Sequence, residues 1–168
     1  MWMAQISLCR VDARMVHGQV ATNWVGFTHS KRIIIVDDTV AADSFMTQVM
    51  EMATPSQTTL SVYTVADAVE EWKKDQFGSV GPVMVIFRTI DSAYAAFRSG
   101  FDFKELMVGG VPSGNGRIKV HGPIHISEDE AQKLNELDQS GVYVYFKVVL
   151  NTNHEDWSSV KKHHFPNL

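Results

Sequence analysis

The stretch "QISLCRVDARMVHGQVATNWVGF", residues 5 to 27, decides how this chain is read. Its first part, "QISLCRV" (5 to 11), is a short run with apolar Ile6, Leu8, Cys9 and Val11, and reads as a β-strand. Its last part, "GQVATNWVGF" (18 to 27), carries Val20, Trp24 and Phe27 at helical spacing, which predicts a helix with one face turned to a core. A strand that feeds a helix through the turn "DARMVH" is the opening half of a βαβ unit. His17 stands where the strand hands over to the helix.

The same alternation continues outward. Strand-like runs recur at "RIIIVDD" (32 to 38), "TLSVYTV" (59 to 65), "PVMVIFR" (82 to 88), "ELMVGG" (105 to 110) and "VYVYFKV" (142 to 148). Between them lie helix-period segments, among them Val65, Ala68, Val69 and Trp72, and then Ile90, Tyr94 and Phe97 with Gly100 placed to end the helix. Ser127 and Glu130 have capping-box spacing ahead of Ala131, Leu134 and Leu137, and Gly141 closes that helix. The segment 109 to 123, rich in Gly and Pro, reads as a long loop or small hairpin beside the sheet. The expected fold is α/β, with an open, mainly parallel sheet between helical layers, and residues 1–168 form one domain.

Composition narrows the function classes. Hydrophobic residues make up 45% and charged residues 20% of 168, which suits an ordinary packed domain. A formal net charge of -4 argues against a broad nucleic-acid footprint. Cys9 is the only cysteine and sits in the first apolar run, so it reads as a buried small hydrophobe in a reducing cytoplasm. No apolar run approaches the 18 or so residues a spanning helix requires, and no basic leader opens the sequence.

In open α/β sheets ligands bind where the carboxyl ends of strands lead into helices, and His17 falls at such a place. The first amides of the helix, at Gly18 and Gln19, have no intrahelical acceptor and suit an anion. Gly18 lacks a Cβ, so a ligand can approach its backbone closely. Arg10 and Arg14 add positive charge, and together these residues make a candidate phosphate cradle around an imidazole. A neutral imidazole offers a lone pair able to attack phosphorus, so His17 is the candidate nucleophile. Asp12 is placed to orient either His17 or an arginine. The bland alternative is a helix-capping histidine beside solvated arginines, and spacing alone does not separate the two.

Other candidates are weaker. Arg88 and Thr89 follow the fourth strand-like run and stand as a further approach to the crevice, or as an exposed arginine and a helix cap. Asp37 and Asp38 suit capping better than a metal, since no third ligand is recognisable. His121 with His125, and His163 with His164, lack a credible metal geometry, so no metal is expected. Phe45, Met46, Val49 and Met50 read as core. Gly109 and Gly110 belong to no nucleotide motif, because neither G-x-G-x-x-G nor a Walker-type loop is present.

The string Arg10-Val11-Asp12-Ala13-Arg14-Met15-Val16-His17-Gly18-Gln19-Val20, followed by Trp24, closely resembles the active-site segment of the IIB components of the sugar phosphotransferase system, in the mannose/fructose/sorbose/N-acetylgalactosamine family. The likeness continues through "IIIVDDTVAAD" (33 to 43), "VMVIFRT" (83 to 89), "LMVGGVP" (106 to 112) and Leu134, Leu137, Gly141, Val142 and Val144. It covers nearly the whole chain. The resemblance implies a cytoplasmic phosphoryl carrier, docked peripherally on a membrane transporter. His17 would accept phosphate on Nδ1 from a phosphohistidine of the IIA component and pass it to a sugar entering through IIC and IID. No cofactor is implied, a homodimer is plausible, and the sugar is not specified. Arg10 and Arg14 would stabilise the transferred group, Gly18 and Gln19 would offer amides, Asp12 would support, and Gly109 and Gly110 would border the site.

Two departures stand out. Ala13 replaces a second acidic residue usual in the family, and "VVLNTN" (148 to 153) lacks the proline common after the last strand. A stand-alone histidine phosphatase or mutase would have Arg-His-Gly at its nucleophile, whereas this chain has Val16 before His17. A regulatory or small-anion-binding domain would use the same cradle without transfer. In-line transfer between two histidines also predicts a His17 loop that protrudes or is widely accessible, at the partner-facing surface.

Overall fold

The computed structural model describes residues 5–168. Its centre is a seven-stranded sheet built from β1 (Ile6–Asp12), β2 (Arg32–Val36), β3 (Thr59–Tyr63), β4 (Val83–Phe87), β5 (Glu105–Gly110), β8 (Tyr143–Phe146) and β9 (Glu155–Asp156). The order across the sheet is β3-β2-β4-β1-β5-β8-β9. Every pairing is parallel except that of the two-residue β9 with β8. A separate hairpin, β6 (Arg117–His121) with β7 (Ile124–Ser127), occupies much of the Gly/Pro-rich segment. Gly109 and Gly110, shared on sequence between the strand-like run 105 to 110 and the Gly/Pro-rich segment, finish β5.

The near-continuous apolar runs are explained by cover on both faces. Cys9, Val11, Ile34, Val36, Val85 and Phe87 enter one core cluster, whereas Leu8, Ile33, Ile35, Met84 and Ile86 enter the other, so alternate residues of each strand face opposite layers. The first layer contains α4 (Val65–Asp75), α5 (Ile90–Arg98), α6 (Glu128–Gln139) and α7 (Trp157–His164). It also holds an aromatic nest in which Trp72, Phe77, Phe87 and Phe103 surround Phe101 at centroid distances of 4.8 to 6.0 Å. The second layer contains α1 (Gly18–Thr28), α2 (Asp38–Ala41) and α3 (Ser44–Ala53).

Local chemistry sets the boundaries. Ser127 and Glu130 form the expected capping box at α6. Asp37 accepts from the Val40 amide and Asp43 from Phe45 and Met46, capping α2 and α3, while Thr89 caps α5 through the Ser92 amide. Two core expectations are corrected. On α3 only Met50 is fully buried; Phe45 is 71% exposed and Val49 also faces solvent, because that helix turns a single row of side chains to the sheet. On α1, Trp24 is buried but Phe27 is 68% exposed, since the inward face runs through Ala21, Trp24 and Val25. The Val20 side chain lies outside the described part of the structure.

Candidate active site

Because β1 is central, with β4 on one side and β5 on the other, its carboxyl end opens at a crevice flanked by two strands. Asp12 ends β1, and its carboxylate accepts a hydrogen bond from the Arg14 amide at 3.0 Å, a short side-chain turn that reverses the chain. Ala13 donates its amide to the Gly110 carbonyl at 2.7 Å, and Met15 donates to Asp12 O. Met15 then adopts φ 57, a conformation unusual for a residue with a side chain. Burial of the Met15 and Val16 side chains in the second-layer core fastens the loop there. His17 follows as the N-cap residue of α1, whose first turn receives no side-chain cap.

The two arginines divide. Arg10 lies on β1, within the strand-like run 5 to 11, and is 2% exposed. All five of its N–H donors are engaged. Nε and one NH2 hydrogen reach Asp12 Oδ2; the other contacts are with Val148 O at 2.7 Å, Lys147 O at 2.8 Å and Met107 Sδ at 2.9 Å. Its guanidinium carbon also sits 5.0 Å from the Trp24 ring centroid, so α1 packs onto it. Arg10 therefore ties β1, α1 and the chain after β8 together, and its donors are occupied by the protein.

Arg14 is different. It grips Asp12 with Nε at 3.2 Å and one NH2 hydrogen at 3.3 Å, which leaves three N–H donors without a partner among the described residues. Its side chain is 48% exposed, against 2% for Asp12. Burial would raise the Asp12 carboxyl pKa, but hydrogen bonds from Arg14 and the charge of Arg10 outweigh it and hold the group below its ordinary range. Asp12 is thus an ionised clamp between one enclosed arginine and one that faces outward. Of the two roles left open for Asp12, the geometry shows the arginine partnership.

The glycine pair acquires a physical meaning here. A Cβ on Gly109 would fall 1.9 Å from Arg10 Cζ, and one on Gly110 would fall 2.3 Å from Asp12 Oδ1. These residues form a bare floor on β5 under the ion pair. Two adjacent glycines ending a strand are a sequence sign of close approach, although the approaching groups are not legible from sequence. The carbonyls of Lys147 and Val148 gave no such sign, because any residue supplies a carbonyl.

Gly18, with φ +42, opens α1, and both it and Gln19 are exposed. His17 is only partly exposed, and its Nδ1 is shut off from solvent with no hydrogen-bond partner among the described residues. Met15 and Val16 anchor the loop against the core, while Arg14, Gly18 and Gln19 on either side of them are exposed. Arg88 lies at the crevice edge 3.6 Å from Asp37 Oδ1, while Asp38 accepts from the Val65 amide. His121 pairs with Glu155 at 2.9 Å and His125 with the Pro123 carbonyl. Among the described residues, no group of three or more His, Cys, Asp or Glu side chains is arranged to hold a metal, and no helix is long and apolar enough to cross a membrane.

Comparison with known proteins gives a consistent answer. Residues 6–166 match the model of the PTS system sorbose subfamily IIB component. The crystal structure of manxB from Thermoanaerobacter tengcongensis superposes with a TM-score of 0.89 at 31% identity, over 99% of this chain and 100% of that one. The IIBSor domain of the sorbose permease from Klebsiella pneumoniae gives 0.88 at 26% identity, over 96% and 99%. The mannose-specific EIIAB component of Escherichia coli K12 is 28% identical over 82% of this chain, which spans 42% of that longer protein.

Proposed function

Since the chain belongs to the sorbose subfamily of phosphotransferase-system IIB components, we propose that it is a phosphoryl carrier in sugar uptake with His17 as the group that is phosphorylated. The observation that carries this reading is the division between the arginines: Arg10 has no donor left to give, while Arg14 holds three N–H groups without a partner among the described residues, three residues before His17.

The transfer runs in two displacements. The lone pair of a His17 ring nitrogen, Nδ1 by family resemblance, attacks phosphorus of a phosphohistidine on a IIA partner, and the donor's N–P bond breaks as the new one forms. A sugar hydroxyl delivered through IIC and IID then attacks the same phosphorus, releasing the His17 imidazole and the hydroxyl proton. Arg14 and the amides of Gly18 and Gln19 neutralise charge on the equatorial oxygens. Arg10 and Asp12 hold Arg14 in place, with Gly109 and Gly110 beneath them.

The His17 ring must turn for Nδ1 to reach a donor. An unsatisfied buried nitrogen costs about 1–3 kcal/mol, which is recovered when the ring rotates toward solvent. The test is incubation of the wild-type chain and His17→Ala with a phosphorylated IIA protein. Stable label on the wild type and none on the variant supports the carrier. Label retained by His17→Ala rejects it; rapid release of inorganic phosphate favours a phosphatase-like activity, and neither label nor release favours an anion-binding domain.

A further inference from the structure

Arg88 is a cation to which the phosphocarrier reading gives no task. It is the first residue after β4, the strand that pairs with β1 on the side away from β5. The parallel register sets Arg10 beside Ile86 and Val11 beside Phe87, so one step further along both strands Arg88 comes alongside Asp12. Neighbouring strands run about 4.7–4.9 Å apart. At the mouth of the sheet Arg88 therefore stands next to the residue that grips Arg14.

Alternation along the strands decides which way it points. Met84 and Ile86 on β4, Ile33 and Ile35 on β2 and Leu8 on β1 all enter the second-layer core, so Arg88, Asp37 and Asp12, two or four residues on, continue on that side of the sheet. Met15 and Val16 seat the His17 loop in the same core. The contact of Arg88 with Asp37 agrees with this placement. It also repeats the chemistry of Asp12 and Arg14: the Asp37 side chain is 8% exposed and that of Arg88 41%, beside 2% and 48% in the other pair. In both, a buried carboxylate backs an arginine whose head faces outward. Asp37 Oδ1 is itself fixed, because it accepts the Val40 amide at 2.9 Å. At 3.6 Å from that oxygen Arg88 is held by charge and not by a hydrogen bond, and none of its five N–H donors has an acceptor among the described residues.

We propose that Arg88 is a second arginine on the transferred phosphoryl group, meeting its oxygens from the β4 side while Arg14, beside Gly109 and Gly110, meets them from the β5 side. The assignment rests on the phosphocarrier reading and adds a residue to its reaction. A phosphoryl group in transfer spreads its charge over three equatorial oxygens, and a guanidinium on each flank can bond to them in pairs. Arg88 stays protonated throughout. The bonds that break and form are those of the transfer itself, between phosphorus and the two histidines. Asp37 holds Arg88 as Asp12 holds Arg14.

The test is single-turnover transfer from a phosphorylated IIA protein to the intact chain at rising donor concentration, comparing wild type with Arg88→Ala, Arg88→Gln and Arg88→Lys. Urea unfolding of each variant checks that it is folded. The rate at saturating donor is expected to fall about 10- to 100-fold in Arg88→Ala and Arg88→Gln, since Arg14 and the helix-start amides remain, and to return in part in Arg88→Lys, which keeps the charge. The donor concentration that gives half the maximal rate is expected to change little. An unchanged saturating rate in a folded Arg88→Ala or Arg88→Gln protein overturns the proposal, as does an Arg88→Lys protein no faster than Arg88→Gln. A loss confined to the half-saturating concentration also overturns it, because Arg88 would then only dock the donor protein. Labelling of wild-type His17 by the same donor separates the two claims. Label with an indifferent Arg88 defeats the second arginine alone, and absence of label beside an active donor defeats both.

Discussion

Gly109→Ala is the substitution that most directly tests the enclosed ion pair. The added Cβ would lie 1.9 Å from Arg10 Cζ and 2.2 Å from both terminal nitrogens, so the guanidinium would have to retreat about 1.5 Å to reach an ordinary 3.4 Å contact. It has nowhere to go without cost, because the Lys147 and Val148 carbonyls hold it at 2.8 and 2.7 Å. Losing those two charge-assisted bonds in a buried setting costs about 3–6 kcal/mol, at roughly 1.5–3 kcal/mol each. Whole domains are stable by only about 5–15 kcal/mol. Urea unfolding is therefore expected to show a much lower midpoint for Gly109→Ala, and the surviving folded fraction is expected to accept phosphate poorly as Asp12 and Arg14 shift. Gly26→Ala is the matched control: that position is inside α1 with nothing within 4 Å of a new Cβ, so it should be neutral or stabilising by about 0.5–1 kcal/mol. A Gly109→Ala protein destabilised by less than about 1 kcal/mol would refute the reasoning.

Three further outcomes follow from the same geometry. Arg14→Ala removes the outward donors and is expected to slow single-turnover transfer by about 2–4 kcal/mol, or roughly 30- to 900-fold, while shifting the urea midpoint far less than Gly109→Ala; an unchanged rate would exclude Arg14 from the reaction. Gly18→Ala meets no atom within 4 Å but places a Cβ at φ +42, so a stability loss of about 1–2 kcal/mol is expected, and a loss above about 4 kcal/mol would reveal packing the geometry does not contain. Asp12 has a depressed folded-state pKa, so its contribution is present above the unfolded value of about 3.9 and is lost as pH falls through the lower folded value. The stability gap between wild type and Asp12→Asn, measured by urea unfolding, should accordingly be widest near neutral pH and shrink below about pH 4; a gap independent of pH would mean that Asp12 is not ionised in the folded chain.

The strands were legible because burial on both faces writes continuous apolar runs: the run 105 to 110 became β5 without change, and 32 to 38 lost only Asp37, which caps α2, and Asp38, which begins it. Strand order was not legible, since nothing in "PVMVIFR" says that β4 inserts between β1 and β2. Helix faces failed where apolar residues outnumber the inward positions, so Phe27, Phe45 and Val49 were assigned to a core they do not enter. In the site, charge and spacing identified the right residues but not their division of labour. Arg10 and Arg14 look equivalent four residues apart, and only strand register and the bare β5 floor place one inside and the other out. The seating of Met15 and Val16 likewise came from packing.

The most direct measurement is mass-spectrometric mapping of phosphate on the chain after exposure to a phosphorylated IIA protein, at alkaline pH because phosphohistidine is acid-labile, followed by addition of membranes containing IIC and IID with sugar. The account predicts that the label lies on His17 and moves to the sugar when the membranes are added. A label on any other residue, or an unlabelled His17 beside a donor shown to be active, would contradict it.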